Sequence, residues 1–208
     1  MVMTEQKQSE EKESEILNTL VEIKSDPIVR DDSEVFPWTV YITTTKDNTV
    51  AYSVYIYDEI YEPQYYSKLF EIIRNIKETE FLNVHLNSPG GSLYTLVAFV
   101  NVIQECLGKV TMIVDGFAES AAAILAFTGD NLVIREHSSM MFHNIHTGEM
   151  LLQDSGKVKA NIESMHRVYK NMLLTFCTPV LSRRDIKNII ERGAEVYYSG
   201  TELLKKLS

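Results

Sequence analysis

The sequence predicts an α/β fold with a mainly parallel sheet, and three observations carry that expectation. Short β-branched and aromatic runs alternate with amphipathic stretches between residues 64 and 142, two strand-to-helix junctions are rich in Gly, Ser and Ala, and strands that repeatedly return through a helix run parallel. The chain has 208 residues, 45% of them hydrophobic and 24% charged. A domain of this size buries roughly 70% of its unfolded surface, so a core forms without disulfide or metal staples.

Residues 1–35 hold ten acidic residues against four basic ones, a net of −6 out of the chain's −9. This composition predicts a mobile acidic tail over 1–35, with room for a short amphipathic helix on Ile16, Leu17, Leu20, Val21 and Ile23 before Pro27. From Phe36 the texture turns β-rich. Trp38 to Thr45 and Thr49 to Tyr57 flank Lys46-Asp47-Asn48 and read as a hairpin. There follow a helical stretch (Gln64 to Lys77), a strand (Phe81 to Leu86), a helix (Leu93 to Leu107), a strand (Val110 to Val114) and a helix (Ser120 to Phe127). Two short strands come next, Leu132 to Ile134 and Met140 to Phe142. After Gly156, Val158, Ile162, Met165, Tyr169, Met172 and Phe176 recur at steps of 4, 3, 4, 3 and 4, an apolar helical stripe.

Composition also excludes functions. The body behind the tail is near neutral and has no basic stripe for a phosphate backbone, so nucleic acid is not an expected partner. Cys106 and Cys177 stand 71 residues apart without a C-x-x-C pair, which argues against a zinc ribbon and for a reducing, cytoplasmic home. No apolar run approaches the ~18 residues of a membrane span, and the N-terminus has no signal-peptide pattern.

Three motifs could carry chemistry. Asn87-Ser88-Pro89-Gly90-Gly91 leaves a strand and enters a helix; it is either a plain turn or a cradle of uncovered amides for an oxyanion. Gly116-Phe117-Ala118-Glu119-Ser120-Ala121-Ala122-Ala123 does the same around one serine, which serves as a helix cap or as an exposed nucleophile. Met140-Met141-Phe142-His143-Asn144 ends a strand on a histidine, structural or catalytic. His143 and His146 form an H-x-x-H pair, but without H-E-x-x-H no metal site is expected.

In this order and spacing the three motifs resemble those of the proteolytic subunit of ATP-dependent Clp proteases, with wording most like the divergent enzymes of large tailed bacteriophages. The similarity runs from about Tyr52 to the C-terminus. It implies a ClpP/crotonase-like spiral of strand-helix units over residues 36–208, with a protruding handle helix at about 155–178. Ser120 is then the nucleophile and His143 the general base, while aligning Tyr197-Tyr198-Ser199 puts Glu195 where the family has Asp. Gly91 and Ala121 would supply oxyanion amides, and Gly90, Ser92, Leu93 and Asn144 would bind substrate. No cofactor or metal is implied. The implied partners are unfolded polypeptide, further copies in two stacked seven-membered rings, and a separate AAA+ unfoldase, since the chain has no G-x-x-x-x-G-K-[ST] loop.

Other readings remain open on the sequence. An enoyl-CoA-hydratase-like enzyme would not need Ser120 and His143 together, a signal-peptide-peptidase-like enzyme would pair Ser120 with Lys157 or Lys159, and a silent ring subunit would only scaffold an active one. Asp185 rivals Glu195 as the third group.

Overall fold

The computed structural model describes residues 36–45, 47–145 and 155–208, without the side chains of 155–158. The expected acidic tail, the turn residue Lys46, His146 of the H-x-x-H pair and the side chains of Lys157 and Val158 lie outside them.

The expected hairpin forms from β1 (Thr39–Thr44) and β2 (Val50–Ile56), paired antiparallel. A 3₁₀ turn (Pro63–Tyr66) with Pro63 in its first turn leads into α1 (Ser67–Arg74), shorter than the helix expected over 64–77. Then come β3 (Phe81–Ser88), α2 (Leu93–Glu105), β4 (Lys109–Glu119), α3 (Ala121–Leu125), β5 (Asn131–Ile134) and β6 (Ser139–Phe142). The chain finishes with α4 (Ser155–Phe176), α5 (Arg183–Arg192), β7 (Val196–Ser199) and α6 (Gly200–Leu207). The sheet order is β1-β2-β3-β4-β6-β7, with β5 pairing β4 beside this path. Pairs along β2, β3, β4, β5 and β6 are parallel, and β6-β7 is antiparallel.

The alternation in β3 decides which face is covered. Leu82, Val84 and Leu86 are buried, while Asn83, His85 and Asn87 point to the other side. Against the covered face lie Leu69, Phe70 and Ile73 of α1 and Leu96, Phe99 and Ile103 of α2, with Tyr66, Phe70 and Phe99 in mutual ring contact.

β4 is longer than the expected Val110 to Val114, because Gly116 does not end it. Its first half pairs with β5 (Thr111↔Asn131 to Val114↔Ile134), and its last residues pair with β6 (Phe117↔Ser139 to Glu119↔Met141). Between them the register with β3 shifts from Leu86 to Ser88. There the Asn87 carboxamide substitutes for a strand partner, its Oδ1 accepting from the Phe117 N–H at 2.9 Å. A Cβ on Gly116 would sit 2.5 Å from that oxygen. The glycine makes room for the side chain that keeps the strand going.

The apolar stripe of α4 is packed within the chain over part of its length. Tyr169 and Met172 are buried, with Leu173 beside them, and Phe176 packs on the same core. Over its C-terminal half the stripe is therefore part of this chain's own core. α5 and α6 each start on a capping box, Ser182/Asp185 and Ser199/Glu202.

Met172→Glu should consequently unfold the domain instead of dissociating copies, because it buries a carboxylate at a cost of several kcal/mol. Thermal melting should fall by roughly 10 °C or more at any protein concentration, given about 2–4 °C per kcal/mol for a domain of this size. Val168→Glu, on the exposed side of the same helix, should melt within about 2 °C of the wild type.

Candidate active site

The site is built where the ends of β3 and β4 converge. After β3, Ser88 Oγ is buried and accepts from the Gly90 N–H at 3.1 Å, tightening the Pro89-Gly90 turn. Gly90 has φ +90°, and a Cβ there would lie 2.5 Å from the Glu119 carbonyl oxygen and 2.7 Å from Ser120 Cβ. Gly91 has φ +144°, and its Cβ would lie 2.2 Å from the Ile60 carbonyl oxygen. Only glycine lets the loop touch both neighbours. Ile60 holds it there: its N–H donates to the Gly90 carbonyl and its carbonyl accepts from the Ser92 N–H, both at 2.7 Å. Ser92 then caps α2.

On the facing junction Ser120 has φ 55° and ψ −117°, a conformation that L-residues resist. It occupies the N-cap position of α3 but makes no side-chain cap hydrogen bond, so the cap reading does not account for the serine. Two contacts hold the strain: the Ser120 N–H donates to the Met141 carbonyl at 2.7 Å, and Ala121 to Leu125 are all buried. Small residues follow the serine because α3 is packed on every side. Among the described residues, neither the Gly91 nor the Ala121 N–H donates a hydrogen bond.

Ser120, Ala121, His143, Gly90, Gly91, Ser92 and Leu93 all line one cavity of about 560 Å³, together with Glu59, Glu62, Tyr94, Ile145, Met165 and Tyr169. This size suits a small-ligand or peptide cleft. His143 sits just past β6, and its carbonyl accepts from the Tyr169 hydroxyl. Burial pushes the Tyr169 phenol up, so it stays protonated and remains a donor. Tyr169 and Met165 were legible only as stripe residues, and Glu59 and Glu62 belong to no motif of the sequence.

Two expected residues do not line the cavity. Asn144 ties down the loop after the histidine, its Nδ2 donating to the Ile190 carbonyl at 3.1 Å and its Oδ1 accepting from the Ile145 N–H at 2.9 Å. Glu195 is exposed and its Oε2 accepts from the Tyr197 hydroxyl at 2.8 Å, which pushes the Tyr197 phenol up. The β6-β7 register ends at Phe142↔Val196; continued by one step, it sets Glu195 opposite His143. The rival Asp185 is committed elsewhere: its Oδ2 accepts from Ser182 N–H and Oγ at 2.9 and 2.7 Å. Lys159 is exposed and absent from the lining. Among the described residues no group of three or more His, Cys, Asp or Glu could hold a metal ion, and no helix is long and apolar enough to cross a membrane.

A family model described as Clp protease matches residues 38–193. No curated protein matches the chain significantly.

The strain at Ser120 is measurable. Ser120→Gly should raise the melting temperature by about 2–4 °C, because relief of roughly 1–3 kcal/mol exceeds the entropy glycine adds to the unfolded chain. Ser120→Ala, which keeps the Cβ and the strain, should melt close to the wild type.

Proposed function

The chain belongs to the Clp protease family, and on that premise we propose that it is a serine endopeptidase acting on extended, unfolded polypeptide. The observation that carries the reading is the strained Ser120 sharing one cavity with His143, Gly91 and Ala121, the last two with N–H groups that donate no hydrogen bond among the described residues.

In this mechanism Ser120 Oγ attacks a peptide carbonyl carbon while its proton passes to the His143 imidazole. The carbonyl oxygen takes the negative charge and is received by the Gly91 and Ala121 N–H groups. Such preorganised donors contribute about 3–4 kcal/mol each to the transition state. The imidazolium then protonates the leaving amine as the C–N bond breaks, leaving an ester on Ser120. A water molecule deprotonated by His143 hydrolyses that ester. Glu195 stabilises the imidazolium and orients the ring, a role supported by the β6-β7 register, which ends at Phe142↔Val196 and sets Glu195 across from His143 if continued one step. Reaching it requires the carboxylate to leave Tyr197 or to serve both groups.

Family membership also supports assembly into rings and delivery of substrate by a separate ATPase. Phe117, Met141 and Tyr197 share the outward face of β4, β6 and β7, and Phe117 and Tyr197 are more than half exposed. These exposed rings, on a face they share with Ser139 and Glu119, fit contact with a neighbouring copy.

Ser120→Ala and His143→Ala should each lower turnover of a fluorogenic peptide by about a thousandfold or more, with no further loss in the double variant, because they act in one step. A fluorophosphonate should label the wild type at Ser120 and label His143→Ala far more slowly. Glu195→Gln should lose more activity than Glu195→Asp, which keeps the charge; severe loss in Asp185→Asn alone would move the third role to Asp185. By native mass measurement the wild type should be a multi-subunit assembly, and Phe117→Asp with Tyr197→Asp should lower that mass while leaving the melting curve cooperative. A monomeric wild type at micromolar concentration would remove the ring proposal.

A further inference from the structure

We infer that the cavity selects polypeptides carrying a lysine or arginine side chain beside the scissile bond, with Glu59 and Glu62 as the specificity-determining residues; this rests on the peptidase reading of the same cavity. The described lining holds these two carboxylates and neither lysine nor arginine. Their position is fixed relative to the chemistry. They flank Ile60, whose N–H and carbonyl are both bonded to the glycine loop at 2.7 Å, so the acid-bearing segment moves with the proposed oxyanion donor. Glu62 Oε2 additionally accepts from Ser92 Oγ at 3.1 Å, and Ser92 directly follows Gly91.

The rest of the lining suits the stem of a basic side chain. Leu93, Leu96, Ile145 and Met165 give an apolar wall beside the carboxylates. Lysine and arginine place methylenes on such a wall and keep the cationic head in water or on an acid. An apolar residue would fill the wall but gain nothing from the carboxylates, and an acidic one would be repelled. Both glutamates are exposed, so solvent and salt screen the attraction and the selectivity is moderate.

The test uses internally quenched peptides identical except for Lys, Gln or Glu at each of the four positions flanking the cleaved bond. kcat/KM is measured on the wild type, and binding of the same peptides is measured on Ser120→Ala. At one position Lys should exceed Glu by about tenfold, chiefly in KM and in binding, and the ratio should shrink as salt rises. Glu59→Gln with Glu62→Gln should reduce the ratio to about twofold or less, with a melting curve to confirm folding, and Glu62→Lys should turn the preference toward the Glu peptide. Equal cleavage of all three peptides, or a preference unchanged in the double Gln variant, overturns the inference and leaves the peptidase reading standing. A Lys preference in binding with no cleavage by the wild type supports the charge selection and removes the peptidase reading. Equal binding with no cleavage removes both.

Discussion

Three stretches of backbone meet at Gly90 and Gly91, and the geometry around them depends on the absence of side chains there. Gly90 lies against the Glu119-Ser120-Ala121 turn and Gly91 against Ile60, each closer than any Cβ allows. This contact sets the Gly91 amide and the Ala121 amide around one cavity and draws the acid-bearing segment around Ile60 to its edge. Strain at Ser120 of about 1–3 kcal/mol persists because the flanks are overdetermined. On one side is the β4-β6 pairing, on the other a fully buried helix turn. The serine is thus held out of a comfortable conformation by parts of the chain that themselves have nothing to gain by moving.

Much of this was legible in the sequence, for local reasons. The strand expected over Phe81 to Leu86 is legible because one face of β3 is covered, and the Gly-Gly and Ser-Ala-Ala junctions mark tight strand-to-helix turns. What was not legible is non-local. Gly116 reads as a strand breaker until the Asn87 carboxamide, 29 positions earlier, is seen to supply the missing acceptor. The 3-4 spacing of Tyr169, Met172 and Phe176 says that one face of α4 is covered, but not by what; the covering surface is this chain's own core. Asn144 is expected at the substrate because it lies in the stretch after His143, and periodicity cannot reveal that its amide also reaches Ile190. Glu59 and Glu62 carried no motif at all; the backbone bonds of Ile60 and the Ser92–Glu62 hydrogen bond hold them at the cavity.

The two halves of the site have different kinds of support. The amide cradle and the serine come from residues 60–125 and are held by backbone contacts among neighbouring strands. His143 instead sits past the end of a four-residue strand. Its platform comes from later in the chain: Tyr169 holds its carbonyl, the Ile190 carbonyl holds Asn144, and β7 closes the far edge of β6.

That division has a consequence for the order in which the protein is made. Chains emerge from the ribosome N-terminus first, and early segments can organise before late ones exist. The segments bearing the serine and its two amides leave the ribosome well before Tyr169, Ile190 and β7 do. A nascent chain can therefore form the glycine loop and the Ser120 junction while His143 still lacks its supports, and a product ending before residue 190 has Ser120 without the contacts that hold the segment after β6. On the peptidase reading proposed above, the site is complete only once the last of these segments has been made.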